Sequence, residues 1–165
     1  MDIFYVYIAE NSSNPKISHS LQHEIGRKII EYVAKNLYKI NNSEIEIINN
    51  KPQFKYSSKQ FSISHSKNIV MVAFDDFPVG LDVEFIKPRD YNSLAKRMNF
   101  VLDEDNINCF YKRWTQYEAE YKLGCKPFSI DSRLFIDTYM LSVCSSVKNN
   151  IGENIHIQQL IESIM

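Results

Sequence analysis

The chain has 165 residues, 44% of them apolar and 13% aromatic. Such a chain suits one folded domain that buries roughly 70% of its unfolded surface, and a mainly disordered protein is excluded. Nineteen Lys and Arg against twenty Asp and Glu leave a net charge of -1, with no basic excess to drive binding to nucleic acid or a membrane surface.

The first residues carry neither the basic start nor the small-residue cleavage site of a signal peptide. No stretch reaches 18 apolar residues, so a cytoplasmic protein is expected. Ile3 to Ala9 is rich in β-branched and aromatic residues and predicts a buried strand. Asn11 to Pro15 is a turn cluster. Between Ser18 and Lys39 the apolar positions Leu21, Ile25, Ile29, Val33 and Leu37 recur every four residues, which predicts a helix capped by Ser18. Glu44 to Ile48 alternates as a strand, and Asn49 to Pro52 turns the chain. Two short strands follow, Phe61 to Ser64 and Ile69 to Phe74, joined by the polar segment His65 to Asn68. Asp75 to Pro78 is a turn, and Val79 to Phe85 is the next strand.

Tyr91 to Met98 begins a helical stretch, and a second long helix is predicted from Asp105 to Leu123. Its stripe is Phe110, Trp114, Tyr117 and Tyr121, with Gly124 as the stop. Arg133 to Tyr139 and Met140 to Ser146 read as a hairpin or bent pair. Cys109, Cys125 and Cys144 lack C-x-x-C spacing, which argues against a disulfide framework and a thiolate zinc site. The order strand, long helix, strands occurs before Pro78 and again after it. An α+β fold is expected, one domain over 1–165 built of two similar halves, roughly 1–78 and 79–165. A monomer is the default for such a fused pair.

The chemistry-bearing residues lie in three segments. In Gly80-Leu-Asp82-Val-Glu84 the two carboxylates are two apart on a strand and share a face, about 6.6 Å apart along the chain. That is a half-site for a hard cation, although the wet face of an edge strand gives the same string. On the long helix, Glu118 and Lys122 are four apart and share a face. An exposed ion pair is the alternative there. The third segment is Ser64-His65-Ser66; no G-x-S-x-G elbow accompanies it, so a hydrolase dyad is not indicated.

Phe61-Ser-Ile-Ser64-His65-Ser66, Gly80-Leu-Asp82-Val-Glu84 and Trp114-Thr115-x-x-Glu118-Ala119-x-x-Lys122-x-Gly124 occur in this order. The set resembles 4′-phosphopantetheinyl transferases of the surfactin-synthetase-activating type. Those enzymes show an S-H-S element, a G-(I/V)-D-(I/V)-E strand, a W-(S/T)-x-K-E-(A/S)-x-x-K helix and a G-K-P turn upstream. The resemblance runs from about Gly26 to Ser145 and implies a two-halved fold with the active site between the halves. It also implies a reaction: a serine of an apo acyl or peptidyl carrier protein attacks the β-phosphate of coenzyme A, phosphopantetheine is transferred, and 3′,5′-ADP leaves. Fixed cations and a metal suit such phosphoryl transfer.

Carried over residue by residue, the resemblance implies Mg²⁺ held by Asp82, Glu84 and Glu118. Lys122 would contact the phosphates, and Glu118 would serve as base, directly or through a water. Ser64 and His65 match positions that contact coenzyme A, and Lys51 matches the lysine of G-K-P. Arg27 matches a basic position of some members, or is a plain exposed charge. Tyr117 departs from the family by standing where a lysine is usual, Asn50 by replacing the glycine of G-K-P. The glutamate expected after the short helix is Glu104 or, with a shift, Asp103. A module that binds coenzyme A or a carrier without turnover is the alternative function.

Asp103-Glu-Asp105-Asn106 opens like a calcium loop but lacks its glycine and final glutamate. His19 and His23, four apart without the glutamate of H-E-x-x-H, read as surface histidines. Lys87, Arg89, Lys96, Arg97, Lys112 and Arg113 are candidates for a patch that docks an acidic carrier, or are ordinary solvated charge.

Overall fold

The computed structural model describes residues 1–9, 19–104, 106–148 and 155–160. Strand β1 (Asp2–Tyr7) is followed by helix α1 (His19–Asn36), whose buried face includes Ile25, Ile29, Ile30 and Val33. The spacing of four located that face. The helix nevertheless ends three residues before Lys39, and Leu37 is exposed. Ser18, expected as its cap, lies outside the described residues.

Asn49 and Asn50 both have positive φ, 51° and 62°, and form a two-residue turn of the kind that matches strand twist. Lys51 and Pro52 therefore belong to a strand rather than to the turn. β2 (Ile45–Ile48) pairs antiparallel with β3 (Lys51–Phe54).

β4 (Gln60–Ser66) and β5 (Ile69–Asp75) form the next hairpin. The expected polar connection from His65 is two residues shorter than the sequence suggests, because His65 and Ser66 pair with Val70 and Ile69. These polar residues are extended because the partner strand supplies the ladder. After β6 (Val79–Phe85) come α2 (Tyr91–Arg97) and α3 (Ile107–Leu123). Asn106 caps α3 by accepting from Cys109 N, and Gly124 ends it in the left-handed region at φ 78°. Asp105, the expected start, lies outside the described residues.

The hairpin that follows is β7 (Ser129–Phe135) and β8 (Tyr139–Ser145). Its turn falls at Ile136 and Asp137, with φ 49° and 53°, inside what the sequence presents as one strand; Asp137 tolerates the left-handed region, but the β-branched Ile136 masks the turn. β9 (His156–Gln159), which the sequence pattern does not signal, adds parallel to β1.

The strands form a four-stranded sheet in the order β4-β5-β1-β9, a three-stranded sheet in the order β6-β8-β7, and the β2-β3 ribbon. Helix α1 covers one face of the larger sheet through Phe4, Val6, Phe61, Val70, Val72 and Phe74. The opposite face, with Ile3, Ile69, Met71 and Ala73, packs on Val79, Leu81, Val83 and Leu141 of the smaller sheet. Helix α3 covers the far side of that smaller sheet, where Ala119 and Leu123 meet Cys144.

The buried stripe of α3 differs from the one the aromatics suggest. Tyr111, Thr115, Ala119 and Leu123 face the sheet alongside Phe110, whereas Tyr117 and Tyr121 are exposed. Close packing selects the small residues: Gly80 lies so near the Ala119 carbonyl that no Cβ fits between them. Trp114 packs beside that stripe on Phe100 and Phe110.

Candidate functional site

Strands β4 and β6 are the facing edges of the two sheets, and side chains close the gap between them. Ser62, Ser64 and Ser66 project from one face of β4 and accept hydrogen bonds from the N–H groups of Leu81, Val83 and Phe85, at 3.0, 3.2 and 3.0 Å. The partner number rises by two with each serine, so the strands run parallel while hydroxyls replace the backbone ladder. This arrangement satisfies edge N–H groups that burial would otherwise leave unpaired. The alternation S-x-S-x-S was the sequence signal for it, and Ser62 and the bridging roles were missed.

Two of these serines also hold the site carboxylates. Ser64 Oγ donates to Asp82 Oδ1 at 2.8 Å, and Ser66 Oγ donates to Glu84 at 2.7 Å. From α3, Lys122 Nζ donates to Asp82 Oδ1 at 2.7 Å and to Ser64 Oγ at 3.1 Å. Asp82, Ser64 and Lys122, matched to three separate motifs, thus meet at the junction of β4, β6 and α3. Asp82 is only 5% exposed, and its Oδ2 is buried with no hydrogen-bond partner among the described residues. A buried carboxylate oxygen without a donor is costly unless a cation takes it.

The electrostatics follow from this geometry. Burial holds the Asp82 carboxyl above its usual range, against the pull of Lys122 and Ser64. Burial likewise raises Glu84, and the Asp82 charge adds to it. Glu118 is raised by burial first and then by Asp82, so the three carboxylates share one field. A hard dication suits all three donors. Their oxygens stand apart rather than around one point: among the described residues, the one group of three or more potential metal ligands that converges is His19, His23 and His65.

A cleft of about 830 Å³ opens beside this junction. It lies between the β2–β3 turn, the middle of β4 and the C-terminal end of α3, with Lys51 on one side and Lys122 on the other. Lys51 Nζ donates to the Val79 carbonyl at 3.0 Å, and burial lowers its pKa. Two lysines flanking a cleft of this size suit a phosphate-bearing ligand.

His65 and Arg27 lie on the other face of β4. His65 alternates with the serines and faces α1 beside His19 and His23. Burial, with the neighbouring His19, His23 and Lys122 charges, pushes it down to about 4. Arg27 is exposed, one turn beyond His23 on α1. Neither His65 nor Arg27 lines the cleft. Tyr117 is exposed against Phe100, and Glu104 accepts from Asn106 at the start of α3.

The 4′-phosphopantetheinyl transferase psf-1 of Bacillus pumilus is 33% identical to this chain over 119 residues. The aligned part is 64% of this chain and 50% of that protein, so the chain spans half the length of the curated relative it matches. That likeness supports the phosphopantetheinyl transferase family, not one subtype within it. No protein-family model matches the chain. The three sheets and three helices of the described residues are compatible with such a transferase fold. No helix among the described residues is long and apolar enough to cross a membrane.

Proposed function

We propose that this chain is a Mg²⁺-dependent 4′-phosphopantetheinyl transferase of the surfactin-synthetase-activating type, a holo-acyl-carrier-protein synthase in the broad sense. Its substrates are coenzyme A and an apo carrier protein, as in fatty-acid synthesis. The carrying observation is the convergence of Asp82, Ser64 and Lys122, from three motifs, beside a cleft flanked by a second lysine. Two pseudo-equivalent halves, 1–78 and 79–165, belong to this reading. Their support is connectivity: β1 pairs with β5 and β5 with β4 around α1, as β6 pairs with β8 and β8 with β7 around α3. The protein works as a monomer in the cytoplasm.

Lys51 and Lys122 bind and orient the pyrophosphate of coenzyme A in the cleft, beside Ser64, whereas His65 and Arg27 lie outside it on the α1 side of β4. Asp82, through its unpartnered Oδ2, with Glu84 and Glu118 would hold Mg²⁺, which neutralises charge on the pyrophosphate oxygens. The carrier serine attacks the β-phosphorus. Its proton passes to Glu118, directly or through a water. The bond to the bridging oxygen of the α-phosphate breaks, and 3′,5′-ADP leaves with Lys122 near the departing charge.

Tyr117 in place of the usual lysine favours a second reading, a module that binds coenzyme A or a carrier without turnover. Incubation with coenzyme A, Mg²⁺ and an apo carrier, followed by mass spectrometry of the carrier, separates the two. Gain of one phosphopantetheine is expected, and Asp82→Asn should abolish it with the fold intact. An unmodified carrier at every enzyme concentration would leave the binding module.

A further inference from the structure

His19 and His23 stand one turn apart at the start of α1, and His65 comes from β4. Each offers a ring nitrogen, and these nitrogens all lie within 4.8 Å of one another. The three rings pack edge to face, with centroids 4.3, 4.8 and 5.2 Å apart.

The backbone around them is held by contacts that do not involve the rings. Gln22, between the two helical histidines, is buried and donates from Nε2 to the Lys67 carbonyl in the β4–β5 turn at 2.7 Å. One turn further on, Gly26 packs directly on Ile63, which shares the face of β4 that carries His65. The start of α1 is thus pinned against the end of β4, and the three imidazoles are presented to one point.

We propose that His19, His23 and His65 form a three-histidine site for a divalent transition metal of the zinc type. Tetrahedral zinc with Zn–N bonds of about 2.0–2.1 Å requires nitrogens roughly 3.3 Å apart. The widest separation therefore closes by about 1.5 Å. His19 and His23 are exposed, so side-chain rotation supplies that movement without shifting the backbone. Imidazole nitrogens without carboxylate or thiolate select zinc, nickel or copper over Mg²⁺. Three protein ligands leave a fourth position for water or an exchangeable donor. The nearby cation Lys122 is already paired with Asp82 at 2.7 Å. This site lies on the α1 face of β4, and the Asp82 carboxylate on the β6 side. It goes beyond the proposed transfer reaction and does not depend on it.

The test uses the whole chain, stripped with EDTA and dialysed. Calorimetry with zinc chloride should give one equivalent bound, and cobalt chloride should give the visible absorption of a tetrahedral nitrogen site. His23→Gln and His19→Gln should each weaken zinc binding at least tenfold while the circular dichroism spectrum stays native. Asp82→Asn should leave it unchanged. No zinc binding, binding unaffected by both histidine changes, or binding lost only in Asp82→Asn would each overturn the proposal.

Discussion

Gly80 is the point at which β6 and the site helix touch, so Gly80→Ala couples a packing change to the chemistry. An alanine Cβ would fall inside the van der Waals envelope of the Ala119 carbonyl oxygen, 2.8 Å from Leu123 N and 2.9 Å from Cys144 Sγ. Non-bonded contacts of carbon are comfortable at roughly 3.5–4.0 Å, so α3 must back away from β6 by about 1 Å. Two of the three obstructing atoms belong to the α3 backbone, and no rotamer moves them aside. Overpacking of this kind costs about 1–3 kcal/mol. At roughly 2–4 °C per kcal/mol for a domain of this size, Tm should fall by about 2–12 °C. The same displacement carries Lys122 out of hydrogen-bond range of Asp82, now 2.7 Å away. A misplacement near 1 Å in a site costs up to about a hundredfold in rate, so transfer should drop even well below Tm. Gly26→Ala is the control. Its Cβ would meet chiefly the free end of Ile63, and alanine gains roughly 1 kcal/mol over glycine inside a helix. Thermal melts by circular dichroism and carrier modification by mass spectrometry read both variants. An unchanged Tm and rate for Gly80→Ala, or an equal loss for Gly26→Ala, would refute the reasoning.

Ser64→Ala removes the acceptor of the buried Val83 N–H and a donor to Asp82; it should cost about 1–3 kcal/mol, read as a lower urea midpoint at unchanged slope. His65 has an unfolded value of 6.5 and a folded value of about 4, so the unfolded chain takes up its proton first. Its contribution to stability is present above pH 6.5 and is lost as pH falls toward 4. In EDTA, the Tm of His65→Asn relative to wild type should therefore rise as pH falls through that window, and a constant difference would remove His65 as the cause. Arg89 and Arg97 are exposed, Arg89 resting over the Tyr111 ring. Reversing both to Glu should raise the carrier KM several-fold and weaken its salt dependence, leaving the coenzyme A KM unchanged, since such charges act within about 8 Å at physiological salt. An unaltered carrier KM at low ionic strength would assign those charges to solvent alone.

Local pattern made much of the fold legible. The four-residue spacing of Ile25, Ile29 and Val33 marked the buried face of α1, the run from Val79 to Phe85 marked β6, and Gly124 marked the end of α3. Each signal is a property of neighbouring residues: helical period, β-branched content, the left-handed tolerance of glycine. Motif order likewise singled out Asp82, Glu84, Glu118 and Lys122 without any knowledge of contacts. The rest belongs to distance. Lys51 and Pro52 became a strand because Ile47 and Ile48 pair with them, and β9 exists through pairing with β1, more than 150 residues away in sequence. On α3 the large aromatics marked one stripe, but the sheet accepted another, because Gly80 lets the backbone at Ala119 and Leu123 approach β6 closely. The hydroxyl ladder of Ser62, Ser64 and Ser66 needed two sheet edges brought side by side. The triad of His19, His23 and His65 needed α1 docked on β4. Neither follows from spacing along the chain, because what decides both is which buried N–H groups and side chains the tertiary packing leaves facing one another.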